Sequence, residues 1–219
     1  MRKVLTITLL SLGAPSLFAN LISNPGFELS VMGGNFQIVN TGDTFITDWN
    51  VSGAALLMLT SSYTENGGTL LFPSHSGDQH LDITGAGNTL LGQISQTVTT
   101  TPGIDYTLSF WVGNQDDADP VYPNASLISL YIDGSLVGTY GHSDDTPNQT
   151  TWREFVVNFK AASASTTIAF ENATPTGDNM AGLDDVSLDV SAANVNAPEP
   201  GTFALAGIAL LGLAALRRR

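Results

Sequence analysis

Of the twenty acidic side chains in this sequence, the carboxylate of Asp184 poses the sharpest chemical problem. It shares alternation parity with Val186, Leu188 and Val190, so a regular strand would aim it at an apolar core, where an uncompensated charge is costly. Two solutions are open. Calcium takes roughly six to eight oxygen ligands, and Asp184, Glu28 and backbone carbonyls would supply such oxygens; one structural calcium ion is the expected cofactor. Alternatively, the carboxylate caps backbone N–H groups where the strand begins. Asp116, Asp117 and Asp119 alternate in a loop but lack the glycine and distal glutamate of an EF-hand, so this cluster reads as solvated, as does Asp144-Asp145.

Sugar recognition is the second chemistry. It requires an exposed aromatic plane flanked by amide and carboxylate groups. Trp111 has the opposite parity to Ile104, Tyr106, Leu108 and Phe110, which places it on the outer side of a strand. Tyr122 offers a second plane, with Asn114 and Gln115 as polar partners. The competing expectation is that the loop from Gln115 to Asn124 folds over Trp111. Trp49 and Trp152 lie in strand-like segments and are expected to pack.

Catalytic patterns are missing. His75, His80 and His142 match no zinc-protease spacing, and the sequence contains neither a Gly-x-Ser-x-Gly elbow nor a phosphate loop. The expectation is a non-enzyme. Two rival classes stay open: a hydrolase of extracellular polysaccharide, motivated by the acid-rich loops, and a surface adhesin whose partner is another protein.

The elements that must position these residues are short and strand-like. Ile104 to Val112 alternates apolar and polar residues. Ser126 to Ile132 runs into Asp133-Gly134, a hairpin turn leading to Leu136 to Tyr140. Phe155, Val157 and Phe159 alternate within Thr151 to Lys160, Ile168 and Phe170 follow, and Val186, Leu188 and Val190 close the set. Ile46 to Val51, Ala54 to Thr60, Gln79 to Thr84 and Leu90 to Thr99 bring the total to roughly ten strands without amphipathic helices between them. This pattern predicts an all-β fold, an antiparallel β-sandwich or jelly roll over residues 20–190.

Both ends are of a different kind. Residues 1–19 carry Arg2 and Lys3, an apolar stretch and a small-residue exit at Ala19, which is a signal peptide expected to be helical and cleaved before Asn20. Residues 191–197 are small and uncharged, a linker. Residues 198–219 hold Pro198-Glu199-Pro200, an uncharged apolar run expected to form a short helix, and Arg217-Arg218-Arg219. That run, Gly201 to Leu216, reaches roughly 24 Å as a helix against a hydrocarbon core of about 30 Å, which suits transient engagement of the inner membrane better than a permanent anchor. The terminal arginines would stay cytoplasmic.

Removing the ends leaves Arg153 and Lys160 as the only Lys or Arg residues of the body, against acids that run from Glu28 to Glu199. Such a body repels phosphate backbones and excludes nucleic acid as a partner. Cysteine is absent, so the exported domain has no disulfides and depends on its own core.

Two resemblances follow from these residues. Pro198-Glu199-Pro200, the apolar run and the arginine cluster resemble the bacterial PEP-CTERM sorting signal. That resemblance implies export across the inner membrane, processing by an exosortase, and delivery to the cell envelope, surface or exopolysaccharide matrix. The order Asn20 to Glu28, Ile46 to Trp49, Ser76 to Asp82, Ile94 to Thr97, Thr101 to Phe110 and Leu183 to Leu188 resembles the DUF642 and choice-of-anchor modules, relatives of galactose-binding-like carbohydrate modules. This second resemblance implies a β-jelly roll, often with a structural calcium where the first and last strands meet, a place that fits Glu28 and Asp184. It also implies, in some members, a face that binds sugar, with extracellular polysaccharide as the partner.

Overall fold

Alternating apolar positions generate thirteen strands among the described residues of the computed structural model: β1 (Phe36–Val39), β2 (Asn50–Gly53), β3 (Leu56–Thr60), β4 (Thr64–Glu65), β5 (Leu70–Leu71), β6 (Gln79–Asp82), β7 (Gly92–Thr99), β8 (Asp105–Asp116), β9 (Ser126–Ile132), β10 (Ser135–His142), β11 (Gln149–Lys160), β12 (Ser165–Asn172) and β13 (Ala181–Val190). The structure describes residues 19–85, 91–116, 126–143, 146–175 and 180–191. The expected signal helix, the sorting tail, all but the first linker residue and Tyr122 lie outside these. Among the described residues, no helix is long and apolar enough to cross a membrane.

The strands form two sheets. An eight-stranded sheet runs β1-β3-β6-β13-β8-β11-β5-β4, and a five-stranded sheet runs β10-β9-β12-β7-β2. All pairings are antiparallel except β5 with β11. Inner-face residues of both sheets make one core: Met58, Leu81, Phe110 and Leu183 from the larger sheet face Ile94, Ile128, Ile168 and Phe170 from the smaller. Phe110 and Phe170 meet across the sandwich edge to face, with centroids 4.9 Å apart, a favoured aromatic geometry. The β9–β10 hairpin turns through Asp133 and Gly134, both at positive φ (49° and 77°), as a type I′ turn requires.

Three expectations need correction. Ile46 to Trp49 is not strand: Trp49 N–H donates to Ile46 O (3.1 Å) and Asp48 sits at φ 66°, so only Asn50 onward pairs with β7. Glu28 lies in an irregular segment, not on a first strand. Asp184 does not point into the core. A bulge between Asp184 and Ser187 inserts one residue, with Asp185 at φ 46°, and an inserted residue reverses the facing of the chain before it. Asp184 therefore pairs with Trp111 on the outer face, while Leu188 pairs with Leu108 on the inner one.

The chain between β3 and β6 folds back over the outer face of the larger sheet. Its Leu70 and Phe72 join Leu59 and Met180 in a second, smaller apolar cluster. Trp152 fills the space above two glycines: a Cβ on Gly113 or Gly182 would lie 2.9 Å or 2.8 Å from the indole ring, and Trp152 Nε1 is tied to Pro73 O (2.9 Å). The ring cannot yield without breaking that bond, so Gly182→Ala should cost about 1–3 kcal/mol, the usual range for overpacking. A denaturant titration measures this; unchanged stability would mean the ring moves freely.

Candidate functional site

Three sequence-distant segments converge above β13. Asp184, fully buried, accepts the backbone N–H groups of His75 (3.0 Å) and Ser76 (3.3 Å) at Oδ2 and that of Asp185 (2.8 Å) at Oδ1. Asp185 accepts from His75 Nδ1 (2.6 Å) and Ser76 Oγ (2.9 Å). Glu28 Oε1 accepts from the amides of Asp78 and Gln79, both at 2.8 Å. Gly77, at φ 61°, has no room for a side chain beside that carboxylate, and Pro25 O accepts from Val186 N–H (3.0 Å). Three carboxylates thus clasp the loop from His75 to Gln79, Asp184 and Glu28 by its amides and Asp185 by the His75 and Ser76 side chains.

This arrangement is the capping one. Amide hydrogens point at Asp184 and at Glu28 Oε1, and a cation needs those oxygens turned toward itself with carbonyls beside them. Among the described residues no group of three or more acidic or histidine side chains is placed to hold a metal ion.

The loop also decides the fate of Trp111. It faces outward as its parity predicts, but the His75 ring stacks on it, with centroids 3.6 Å apart and planes 17° apart. Among the described residues the cover comes from the segment before β6; the loop from Gln115 to Asn124 lies outside the described residues beyond residue 116. Asn114 and Gln115 are both buried. Asn114 Oδ1 accepts from Ser126 N (2.9 Å) and Oγ (3.0 Å), and Gln115 Oε1 accepts from Thr150 Oγ1 (2.6 Å). Trp111, Asn114 and Gln115 lie close along one strand, with Asn114 and Gln115 buried and Trp111 half-buried under His75.

The outer face of the five-stranded sheet is different. Among the described residues nothing packs over it, and a polar row crosses four strands: Ser52 Oγ donates to Gln93 Oε1 (3.2 Å), Gln93 Nε2 to Glu171 Oε2 (3.1 Å), and Tyr131 OH to Glu171 Oε1 (3.0 Å). Tyr131 sits directly across from Ala169, and Glu171 across from Ser129, so the phenol hydroxyl reaches diagonally to the neighbouring strand. Ala169, small and outward-facing, is only 7% exposed. The bond to Glu171 raises the phenol pKa, keeping it a neutral donor. Nothing in the sequence marked this row, because its members lie on four separate strands and only the register aligns them.

Burial sets the charge states beneath the clasp. Desolvation, then the neighbouring Asp185 carboxylate, push Asp184 up to about 8 against the pull of its amide donors. Desolvation pushes Asp82 up to about 7 and His80 down to about 3.

Residues 20–188 match the family described as "Protein of unknown function (DUF642)", and residues 196–219 match the PEP-CTERM protein-sorting motif. No curated protein matches. Among solved structures, the chain is similar to TmCBM61 in complex with β-1,4-galactotriose (15% identity, TM-score 0.43, covering 80% of this chain and 100% of that one). It is also similar to a family 35 carbohydrate-binding module from Clostridium thermocellum (14%, 0.44, 72% and 100%) and to one from Paenibacillus barcinonensis (12%, 0.39, 72% and 100%).

The clasp has a measurable pH signature. Folded Asp82 and Asp184 keep protons that the unfolded chain releases near pH 3.8, so their contribution is greatest below that pH and is lost as pH rises through about 7 and 8. His80 acts in the opposite sense, between pH 6.5 and 3. Asp82 and Asp184 titrate between pH 6.5 and 8.5, so their contribution to Tm should fall across that window. Asp184→Ala should flatten the fall and cost about 1–3 kcal/mol at pH 6.5, since three amides lose their acceptor. Added calcium should leave both melting curves unchanged. A Tm that rises toward pH 8.5, or a calcium-dependent gain, would contradict the reading.

Proposed function

The chain belongs to the DUF642 family, and from that premise we propose that it is an exported, non-enzymatic carbohydrate-binding module of the cell envelope or exopolysaccharide matrix. One observation carries the reading: a sheet face with nothing packed over it among the described residues, bearing a partly exposed tyrosine whose hydroxyl, a carboxylate and an amide are already fixed in one hydrogen-bonded row. A sugar ring presents a C–H face to an aromatic plane and hydroxyls to flanking polar groups. Groups held in place before the ligand arrives lose less freedom on binding.

Non-catalysis is supported by the placement of the carboxylates. Glycoside hydrolysis uses two carboxyl groups flanking one bond. Glu171 has both oxygens engaged by Gln93 and Tyr131, and Glu28, Asp184 and Asp185 are turned toward the loop they clasp.

The tail supplies the address. The PEP-CTERM motif over residues 196–219 supports export, a transient hold in the inner membrane through Gly201 to Leu216, and processing by an exosortase-type enzyme near Pro198-Glu199-Pro200. Intact-mass measurement on the envelope or matrix form should find Met1–Ala19 and the apolar run both missing. Pro198→Ala with Pro200→Ala should leave full-length tail in the inner-membrane fraction. A mature form that keeps Arg217-Arg218-Arg219 would overturn the processing step.

Binding is tested by affinity gel electrophoresis of the purified protein against β-glucan, galactan, xyloglucan and polygalacturonate, with reducing-end release assayed in parallel. The expected result is retardation by at least one polysaccharide, lost in Tyr131→Ala, with no released ends. Absence of retardation in every gel, or retardation that survives Tyr131→Ala, would sink the proposal.

A further inference from the structure

The row containing Tyr131 has a neighbour that extends it. Through the register of the five-stranded sheet, Tyr131 pairs with Ala169, Ala169 with Ser95, and Ser95 with Asn50. These four residues lie in one line across β9, β12, β7 and β2, about 14 Å from first to last at the usual strand spacing of ~4.8 Å. The line starts at an aromatic plane, crosses two small side chains and ends at a polar amide. At that end lies an open cleft of ≈ 510 Å³, lined by Asp48, Asn50, Ser95 and Thr97 among others. A second hollow of ≈ 410 Å³ shares Asp48, Gln96 and Thr97 with it.

The cleft exists because β2 is short. It covers β7 only from Gly92 to Ser95, and the chain before it leaves the sheet at Asp48 (φ 66°). The floor is held by Gln96, which bonds Ser23 and Asp48 through its side-chain amide. The cleft is therefore continuous with the strip between Tyr131 and Asn50.

Charge selects among ligands. Arg153 and Lys160, the two Lys or Arg residues of the body, both lie on β11 of the other sheet. The strip and its cleft carry the carboxylates of Glu171 and Asp48 and neither a lysine nor an arginine. A uronate or sulfated sugar would meet like charge with no cation to pair it. Hydroxyl groups suit the strip, because Ser95, Thr97, Gln93 and Glu171 together donate and accept hydrogen bonds.

We infer that the strip is a single binding trough that takes an uncharged oligosaccharide segment lying across the strands, from Tyr131 over Ala169 and Ser95 to Asn50 and Asp48. This rests on the carbohydrate-binding reading above and adds to it a direction, a length and a charge class. The ligand is bound along its length, so a short fragment leaves part of the trough empty.

The test uses the full-length exported protein in affinity gels containing β-glucan, galactan, xyloglucan or polygalacturonate, with Ser95→Phe to obstruct the middle, Asn50→Ala to trim the far end, Tyr131→Ala to remove the start, and Val156→Phe on the other sheet as control. Melting curves check folding; Asn50 is exposed, so its variant reports even where Ser95→Phe fails to fold. The expectation is retardation by a neutral polysaccharide, weakened at least tenfold by Ser95→Phe and severalfold by Asn50→Ala, unaffected by Val156→Phe, with no retardation by polygalacturonate. If Tyr131→Ala abolishes binding while folded Ser95→Phe and Asn50→Ala bind normally, the trough is wrong and the carbohydrate-binding reading survives. Preferential retardation by polygalacturonate overturns the charge assignment alone. No retardation in any gel overturns both.

Discussion

A buried carboxylate accepting the amides of His75 and Ser76 determines how the larger sheet meets its surroundings. Asp184 is on the outer face only because the bulge at Asp185 reverses its side, and it is buried only because the loop it holds closes over it. Each condition supports the other. An unpaired carboxylate there would be costly, and a loop with unmet amides would be equally so. Glu28 repeats the device on Asp78 and Gln79 and Asp185 adds the His75 and Ser76 side chains, which is why three segments fifty or more residues apart act as one structural unit.

The clasp allots the two faces to different tasks. With the segment from β3 to β6 laid over it, the larger sheet gains a second apolar cluster and packs a half-buried Trp152 above two glycines; a stacked histidine lies on Trp111. Among the described residues the smaller sheet keeps its outer face open, and its polar row consists of a hydroxyl, an amide, one carboxylate and a tyrosine. The PEP-CTERM motif marks the chain for export and sorting to the cell envelope, and in the proposed role this face, which carries no lysine or arginine, meets neutral sugars there.

The sequence made strand positions plain wherever alternation was strict: the run from Ile104 to Val112 enters β8 at Asp105, Ser126 to Ile132 is β9, and the Asp-Gly turn forms as its residues demand. Where alternation broke, inference failed for identifiable reasons. Parity alone aimed Asp184 inward because a bulge leaves no mark in the pattern. β1, β4 and β5 were invisible because strands of two to four residues carry too little periodicity. Trp111 was rightly placed outside, but an outward side chain is open only if no distant loop covers it, and His75 lies thirty-six residues earlier in the chain. The row of Ser52, Gln93, Glu171 and Tyr131 depends on register between four strands, a long-range property that no local window contains.

The central claim is that the open face of the smaller sheet, and not the surface around Trp111, is where this protein meets carbohydrate. Backbone amide chemical shifts, recorded while a neutral β-glucan or galactan oligosaccharide is titrated into the labelled protein, test it most directly. The account predicts perturbations concentrated on β7, β9 and β12, at residues 93–97, 129–131 and 167–171, and reaching Asp48 and Asn50. Perturbations centred instead on residues 74–79 and Trp111, with the smaller sheet unchanged, would contradict it.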